Sequence, residues 1–252
     1  MNYIEERIEA HKQHLLAHGI EEKNILGIFL YGSQNYLCDT EGSDIDTKCI
    51  YIPTFKEAVL GKKRVKEYHL SNGEHCELMD IRHFIDNLKK QNINFVEVLY
   101  TKHCWINPLY WKLWHNCFEV NRESIAHYNR VKCIGNICGQ AKHTIKQNPY
   151  DGKKMGNGYR LFYFLRLYAD GREYEQCLIP TSVAREFIVN LKTSKLETDT
   201  MSKDLYNLFD YYEPIFLEEA EKVQDKELPA ILDNIMDYAV IQSIKIYEGE
   251  AM

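Results

Sequence analysis

The chain has 252 residues, of which 45% are hydrophobic and 27% charged, enough to bury one large core or two small ones. A formal net charge of −6 argues against a surface that coats nucleic acid broadly, while a local basic groove stays open. No run approaches the ~20 apolar residues of a membrane span, and the opening MNYIEERIEAHKQ lacks a signal peptide's apolar stretch. A cytosolic protein with no membrane partner is expected. The eight cysteines form no CxxC pair and read as reduced, buried small hydrophobes. Cys133 and Cys138 with His143 come nearest to a zinc motif, but an i, i+5 spacing does not put two thiolates on one helical face.

In chain order, residues 3–18 have helix-forming composition, with Ile4, Ile8, Leu15 and Leu16 as a partial apolar stripe and Gly19 as a C-cap. His11, His14 and His18 read as part of a solvated helix face. Ile25 to Tyr31, ILGIFLY, is an apolar run of strand length, followed by Gly32-Ser33. A glycine there lets backbone N–H groups approach a phosphate, and a serine hydroxyl adds a donor at a helix N-terminus. Ser43 to Ile52 reads as the next strand, with Asp44 and Asp46 at i and i+2. Residues so spaced project to one strand face within ~7 Å of each other. Two such carboxylates can share divalent cations, while Ile45, Thr47 and Cys49 pack inward and leave the acidic face wet. An isolated Asp-x-Asp also fits a solvated polar turn.

Gly32-Ser33, then Asp44-Ile45-Asp46 between apolar residues, resembles the signature of the DNA polymerase β-like nucleotidyltransferase superfamily, in its bacterial and phage predicted-nucleotidyltransferase branch. The resemblance extends through Asp80-Ile81-Arg82-His83-Phe84 and Gln91 to Leu99, covering about 25–101, and more weakly Tyr150 to Lys192. It implies an α+β fold: a small mixed β-sheet nucleotidyltransferase domain with flanking helices at 1–107, then an all-helical nucleotide- or substrate-binding domain at 108–252. It also implies Mg²⁺, as two ions with Mn²⁺ as a substitute, and a nucleoside triphosphate as partner. The acceptor is left open among RNA, protein and small molecules, as is the oligomeric state.

Thr54 can cap a short helix through Leu60. Arg64 to Leu70 and His75 to Met79 then flank Ser-Asn-Gly-Glu, a strong hairpin signal. The return strand is where two-metal transfer requires a third carboxylate, and Glu74, Glu77 and Asp80 are the candidates. Glu77, between Cys76 and Leu78, is preferred as metal ligand or general base; Asp80 looks like an N-cap for a helix over 80–90. Lys48, on the strand face of the two aspartates, either touches phosphate or screens the carboxylates. Glu97, enclosed by apolar residues, reads as a support residue.

From about residue 108 the pattern is helical, with Trp105, Trp111, Trp114 and Phe118 as expected packing between the halves. Helices are expected over 121–147, 155–170, 181–192, 202–222 and 229–247. From Lys132 to Asp170 seven basic residues face two acidic ones, whereas Glu218 to Asp237 holds seven acids and two lysines. In Gly152-Lys153-Lys154-Met155-Gly156-Asn157-Gly158-Tyr159-Arg160 the glycines would allow close approach of a nucleotide whose phosphates Lys153, Lys154 and Arg160 hold. The family branch carries a similar Gly-Lys-Lys element before a helix with an arginine, with His-Ala where this chain has Asn157-Gly158. No Walker A pattern occurs. The expected reaction is transfer of a nucleoside monophosphate to an acceptor hydroxyl, with Asp44, Asp46 and Glu77 binding metal, and Gly32, Ser33, Lys48, Lys153, Lys154 and Arg160 binding nucleotide. The alternatives are an inactive nucleotide-binding sensor and an antibiotic-type adenylyltransferase.

Overall fold

A computed structural model describes residues 3–194 and 199–249. Helix α1 (Tyr3–Ala17) leads into β1 (Ile25–Tyr31), β2 (Asp46–Tyr51), α2 (Phe55–Val59), the hairpin β3 (Val65–His69) and β4 (His75–Asp80), and α3 (Ile81–Lys89). The short α4 (Ile93–Val96) and β5 (Cys104–Ile106) complete this half. Eight α-helices follow among the described residues: α5 (Trp111–Trp114), α6 (Arg122–Ala126), α7 (Arg130–Gln147), α8 (Gly152–Ala169), α9 (Tyr174–Leu178), α10 (Ser182–Thr193), α11 (Thr200–Val223) and α12 (Leu228–Tyr247). The fold is α+β, a mixed sheet with flanking helices followed by an all-helical region. No described helix is long and apolar enough to cross a membrane.

The sheet order is β3-β4-β2-β1-β5. Among the described strands only the central β2–β4 pair is parallel, with Lys48 opposite Glu77; β1 and β2 run antiparallel, with Tyr31 opposite Asp46. Side chains alternate between faces, as the two-residue period of a strand requires. Ile28, Cys49 and Leu78 pack with Ile8 and Leu15 of α1 on one face. Phe29, Ile50 and Met79 join the larger core on the other, which runs through Phe84, Trp114 and Phe118 to Ala239 of α12. That core continues without a break past residue 108.

Burial on both faces corrects the expectation of a strand with one wet side. Helix α3 packs against β2 and Tyr31 and Phe95 cover Lys48, so everything from Thr47 to Tyr51 is buried and only Asp46, at the strand's start, reaches the rim. His11 is a second correction. Rather than lying on a solvated face, it is fully buried, with Nδ1 2.7 Å from Thr47 Oγ1 and Nε2 3.0 Å from Glu74. Arg7 adds an ion pair to Glu74 at 2.6 Å, so a polar cluster fastens α1 to the sheet.

Of the four aromatics expected between the halves, Trp114 and Phe118 do that work, stacked at 5.0 Å beside Phe29 and Phe84. Trp105 packs on the opposite face, where Lys12 sits over its ring, and Trp111 is half exposed. The expected single helix over 121–147 breaks at 127–129, where Asn129 restarts it by accepting the Lys132 N–H.

Candidate active site

Strand β1 ends in a turn that Gly32 makes with φ +84°, a conformation that costs an L side chain energy and glycine very little. The Gly32 N–H points inward and donates to Glu97 Oε1 at 3.1 Å, while the Asn35 amide donates to the Glu97 carbonyl at 3.3 Å. Glu97 is 1% exposed, and burial pushes its carboxyl above the usual carboxylate range against the opposing charge of Arg160. Glu97 is therefore the internal support of the Gly-Ser turn. Because it consumes the Gly32 N–H, Ser33 is the part of the pair left to meet a ligand.

The chain then loops back to β2, with the Ser43 hydroxyl accepting the Thr40 N–H at 2.8 Å. The strand starts at Asp46, so Asp44 lies in the loop before it, exposed, rather than on the strand itself. Both aspartates nevertheless line one cavity of about 230 Å³, together with Ser33, Ser43, Lys153 and Lys192. The sheet half supplies the carboxylates and hydroxyls; the helical half supplies the cations from the first turn of α8 and the last of α10.

Three groups in this wall are shifted from their ordinary ranges, and burial is the main cause for each: Tyr36 and Asp46 upward, Lys192 downward. Burial holds the Asp46 carboxyl above its usual range, and the charge of Asp44 acts the same way, while His75 opposes both. His75 Nδ1 lies 2.8 Å from Asp46 Oδ1 without hydrogen-bond alignment, and that buried oxygen has no hydrogen-bond partner among the described residues. Burial lowers Lys192 to about 8, with Arg160 and Lys153 as further cations nearby. The Lys192 ammonium donates to the Cys38 carbonyl at 2.8 Å, which fixes it at the cavity wall.

The remaining expected residues lie elsewhere. Glu77 shares the sheet face of Asp46 and Lys48, but its carboxylate takes the Lys48 ammonium. Lys48 is 2% exposed and lies 4.0 Å from the Tyr31 ring centre and 4.6 Å from that of Phe95. Neither Lys48 nor Glu77 reaches the cavity wall. Asp80 caps α3 through the Arg82 N–H at 2.8 Å and pairs with the Arg82 guanidinium. Among the described residues no three His, Cys, Asp or Glu side chains group so as to hold a metal ion. The carboxylate and hydroxyl groups that line the cavity are the two aspartates with the hydroxyls of Ser33, Tyr36, Thr40 and Ser43. Such a hard-oxygen set fits Mg²⁺, which keeps much of its water and takes one or two carboxylates from protein.

The glycine-rich element is a helix start, not a phosphate-wrapping loop. Asp151 caps α8 by accepting the Lys154 N–H at 3.1 Å. A Cβ on Gly152 would collide with the Ser194 and Leu191 carbonyls, and one on Gly156 would stand 2.5 Å from Lys192 Cγ. The glycines let α8 and α10 pack closely, and that approach brings Lys192 beside Lys153. Lys154 and Arg160 face a second cavity of about 200 Å³, which shares Tyr36 and Asn157 with the first and is also lined by Asn94, Gln140 and Thr144.

No family model and no curated protein matches the chain. Among solved structures it is similar to a nucleotidyltransferase-like protein from Exiguobacterium sibiricum 255-15, with 14% identity, a TM-score of 0.32, and coverage of 96% of this chain and 78% of that one. The similarity is remote and assigns no residue a role.

Proposed function

We propose that the 230 Å³ cavity binds a nucleoside triphosphate with a divalent cation and transfers its nucleoside monophosphate to an acceptor hydroxyl. The reading is carried by one observation: Asp44 and Asp46 from the sheet half line the same small cavity as Lys153 and Lys192 from the helical half. Carboxylates alone would repel a polyphosphate, and lysines alone would need no acids. Both together suit a polyphosphate that arrives with a bound cation.

In this reading Asp44 and Asp46 hold Mg²⁺, which when bound neutralises charge on the phosphates and lowers the pKa of a coordinated hydroxyl. The Ser33 hydroxyl, Lys153 and Lys192 bind the β- and γ-phosphates and stabilise the departing pyrophosphate by position and charge. Gly32 and Glu97 keep Ser33 in place. Lys48 and Glu77 stand behind Asp46 and orient the strand; Glu77 becomes a third carboxylate only if its pair with Lys48 opens. The two aspartates suit one cation as they stand, so a second cation depends on that opening. We place the boundary of the two functional halves at 107/108, where sheet gives way to helix.

The Lys48–Glu77 pair also favours a second reading, a nucleotide-binding sensor without turnover. Equilibrium binding of ATP with and without Mg²⁺ tests what both readings share. Binding that strengthens at least tenfold with Mg²⁺, and loses that gain in Asp44→Asn/Asp46→Asn, is expected. Binding indifferent to Mg²⁺ and to both aspartates would remove the proposed site.

A further inference from the structure

Arg160 is a cation buried at 6% exposure whose Nε and Nη1 have no hydrogen-bond partner among the described residues. The guanidinium carbon lies 3.9 Å from the Tyr36 ring centre, a contact that offsets only part of the loss of water. Glu97 feels its charge, but no ion pair joins them among the described residues, and burial keeps that carboxyl shifted toward its neutral form. A buried charge in this condition is disfavoured unless something outside the chain completes it.

The surroundings indicate what that is. Arg160 lines the 200 Å³ cavity with Lys154, and Asn94, Gln140 and Thr144 add amide and hydroxyl donors. No carboxylate stands among the described lining residues. Asn157 lines both cavities; its buried Oδ1, an acceptor and so not itself an anion ligand, has no hydrogen-bond partner among the described residues. Two cations amid neutral donors suit a compact, multiply charged oxyanion, and a guanidinium fork fits two of its oxygens at once.

We propose that this second cavity is a phosphoryl-binding subsite, with Arg160 and Lys154 as its charge partners and the shared Asn157 wall connecting it to the first cavity. The phosphoryl group belongs either to the tail of the triphosphate or to a phosphorylated acceptor. Only that choice rests on the nucleotidyl-transfer reading; the subsite itself rests on the unpaired arginine and its cavity.

Inorganic phosphate, without divalent metal, is the probe. It is titrated calorimetrically into the full chain carrying Lys153→Met, which weakens the first cavity, with and without Arg160→Gln or Arg160→Lys. Arg160→Gln is expected to cost at least tenfold in phosphate affinity and Arg160→Lys clearly less. The ligand-free melting temperature of Arg160→Gln should equal or exceed that of its parent, because an unpartnered buried cation is gone. Phosphate affinity unchanged within twofold, or a lowered ligand-free melting temperature marking a structural arginine, would overturn the subsite. Competition between phosphate and ATP assigns the subsite to the triphosphate tail, and simultaneous binding assigns it to an acceptor. ATP that fails to bind while phosphate binding still depends on Arg160 would sink the nucleotidyl-transfer reading and leave the subsite standing.

Discussion

Lys48 and Glu77 are register partners across the parallel pair β2–β4, and the Lys48 ammonium meets the Glu77 carboxylate on the sheet face that leads to Asp46. Lys48 is almost fully buried while the Glu77 side chain keeps 26% exposure, so the two members depend on each other unequally. Removing the carboxylate leaves a buried cation alone; removing the lysine leaves an acid that can reach water.

Glu77→Gln should therefore destabilise by about 3 kcal/mol, the usual scale for stranding a buried charge. The double variant Lys48→Met/Glu77→Gln should be more stable than Glu77→Gln alone. Urea unfolding of the two singles and the double checks this, and additive losses would mean that the pair is not coupled.

Lys192 gives a pH signature. Its folded pKa is lowered to about 8 from 10.5, so between those values the unfolded chain binds more protons than the folded one, and stability rises with pH across that window. Below about 8 the full cost of keeping the ammonium in place is present. Lys192 is only partly buried and solvent screens it, so about 1 kcal/mol is the scale expected for the rise. Lys192→Met should flatten it in unfolding measured from pH 7 to 10. Binding of ATP should weaken in wild type above pH 8 as the cation is lost, and Lys192→Arg should hold its affinity there.

The glycines of α7 and α8 should respond to alanine with opposite signs. Gly135 and Gly139 have open space where a Cβ would go, so alanine there should stabilise by about 0.5–1 kcal/mol through helix propensity. At Gly156 the added carbon would meet Lys192 Cγ at 2.5 Å and the Ile188 carbonyl at 2.9 Å. Gly156→Ala should cost about 1–3 kcal/mol as an overpacked contact. Thermal unfolding separates the two classes.

Glu97→Gln keeps an acceptor for the Gly32 N–H and removes a carboxyl that burial disfavours in its charged form. Its folded pKa is raised, so wild-type stability from this group is complete below the unfolded value of about 4.5 and declines as pH rises beyond it. The glutamine variant should gain on wild type over that rise. Glu97→Ala should lose about 2–4 kcal/mol by opening a cavity and leaving the Gly32 N–H unpaired, and amide exchange at Gly32 reads the second effect.

Much of this architecture is legible in local sequence. The ILGIFLY run, the Asn-Gly hairpin and the apolar-periodic helix after Asp80 each depend on near neighbours, and each is found at its expected place. Asp44 lines the same cavity as Asp46 and Ser33, but from the loop before β2 and not from the strand face that the i, i+2 spacing implied. Long-range packing hides the rest. Gly152, Gly156 and Gly158 look like loop residues because open backbone and close helix contact both favour glycine; the packing of α7, α10 and α11 against them distinguishes the two. Lys192 carries no local signal, since its role comes from the approach of α10 to Cys38 across 154 positions. The capture of Glu77 by Lys48 and of Glu74 by Arg7 and His11 likewise needs strand register and helix docking, which no single segment records.

The most direct test of nucleotidyl transfer is release of pyrophosphate from α-labelled ATP, CTP, GTP and UTP in Mg²⁺, with cell extract supplying acceptors, compared between wild type and Asp46→Asn. The account predicts Mg²⁺-dependent label in an acceptor and matching pyrophosphate from wild type, both lowered at least a hundredfold, about 2.7 kcal/mol of transition-state stabilisation, in Asp46→Asn. Tight nucleotide binding with neither label nor pyrophosphate from any of the four would contradict transfer and leave the cavity a nucleotide sensor.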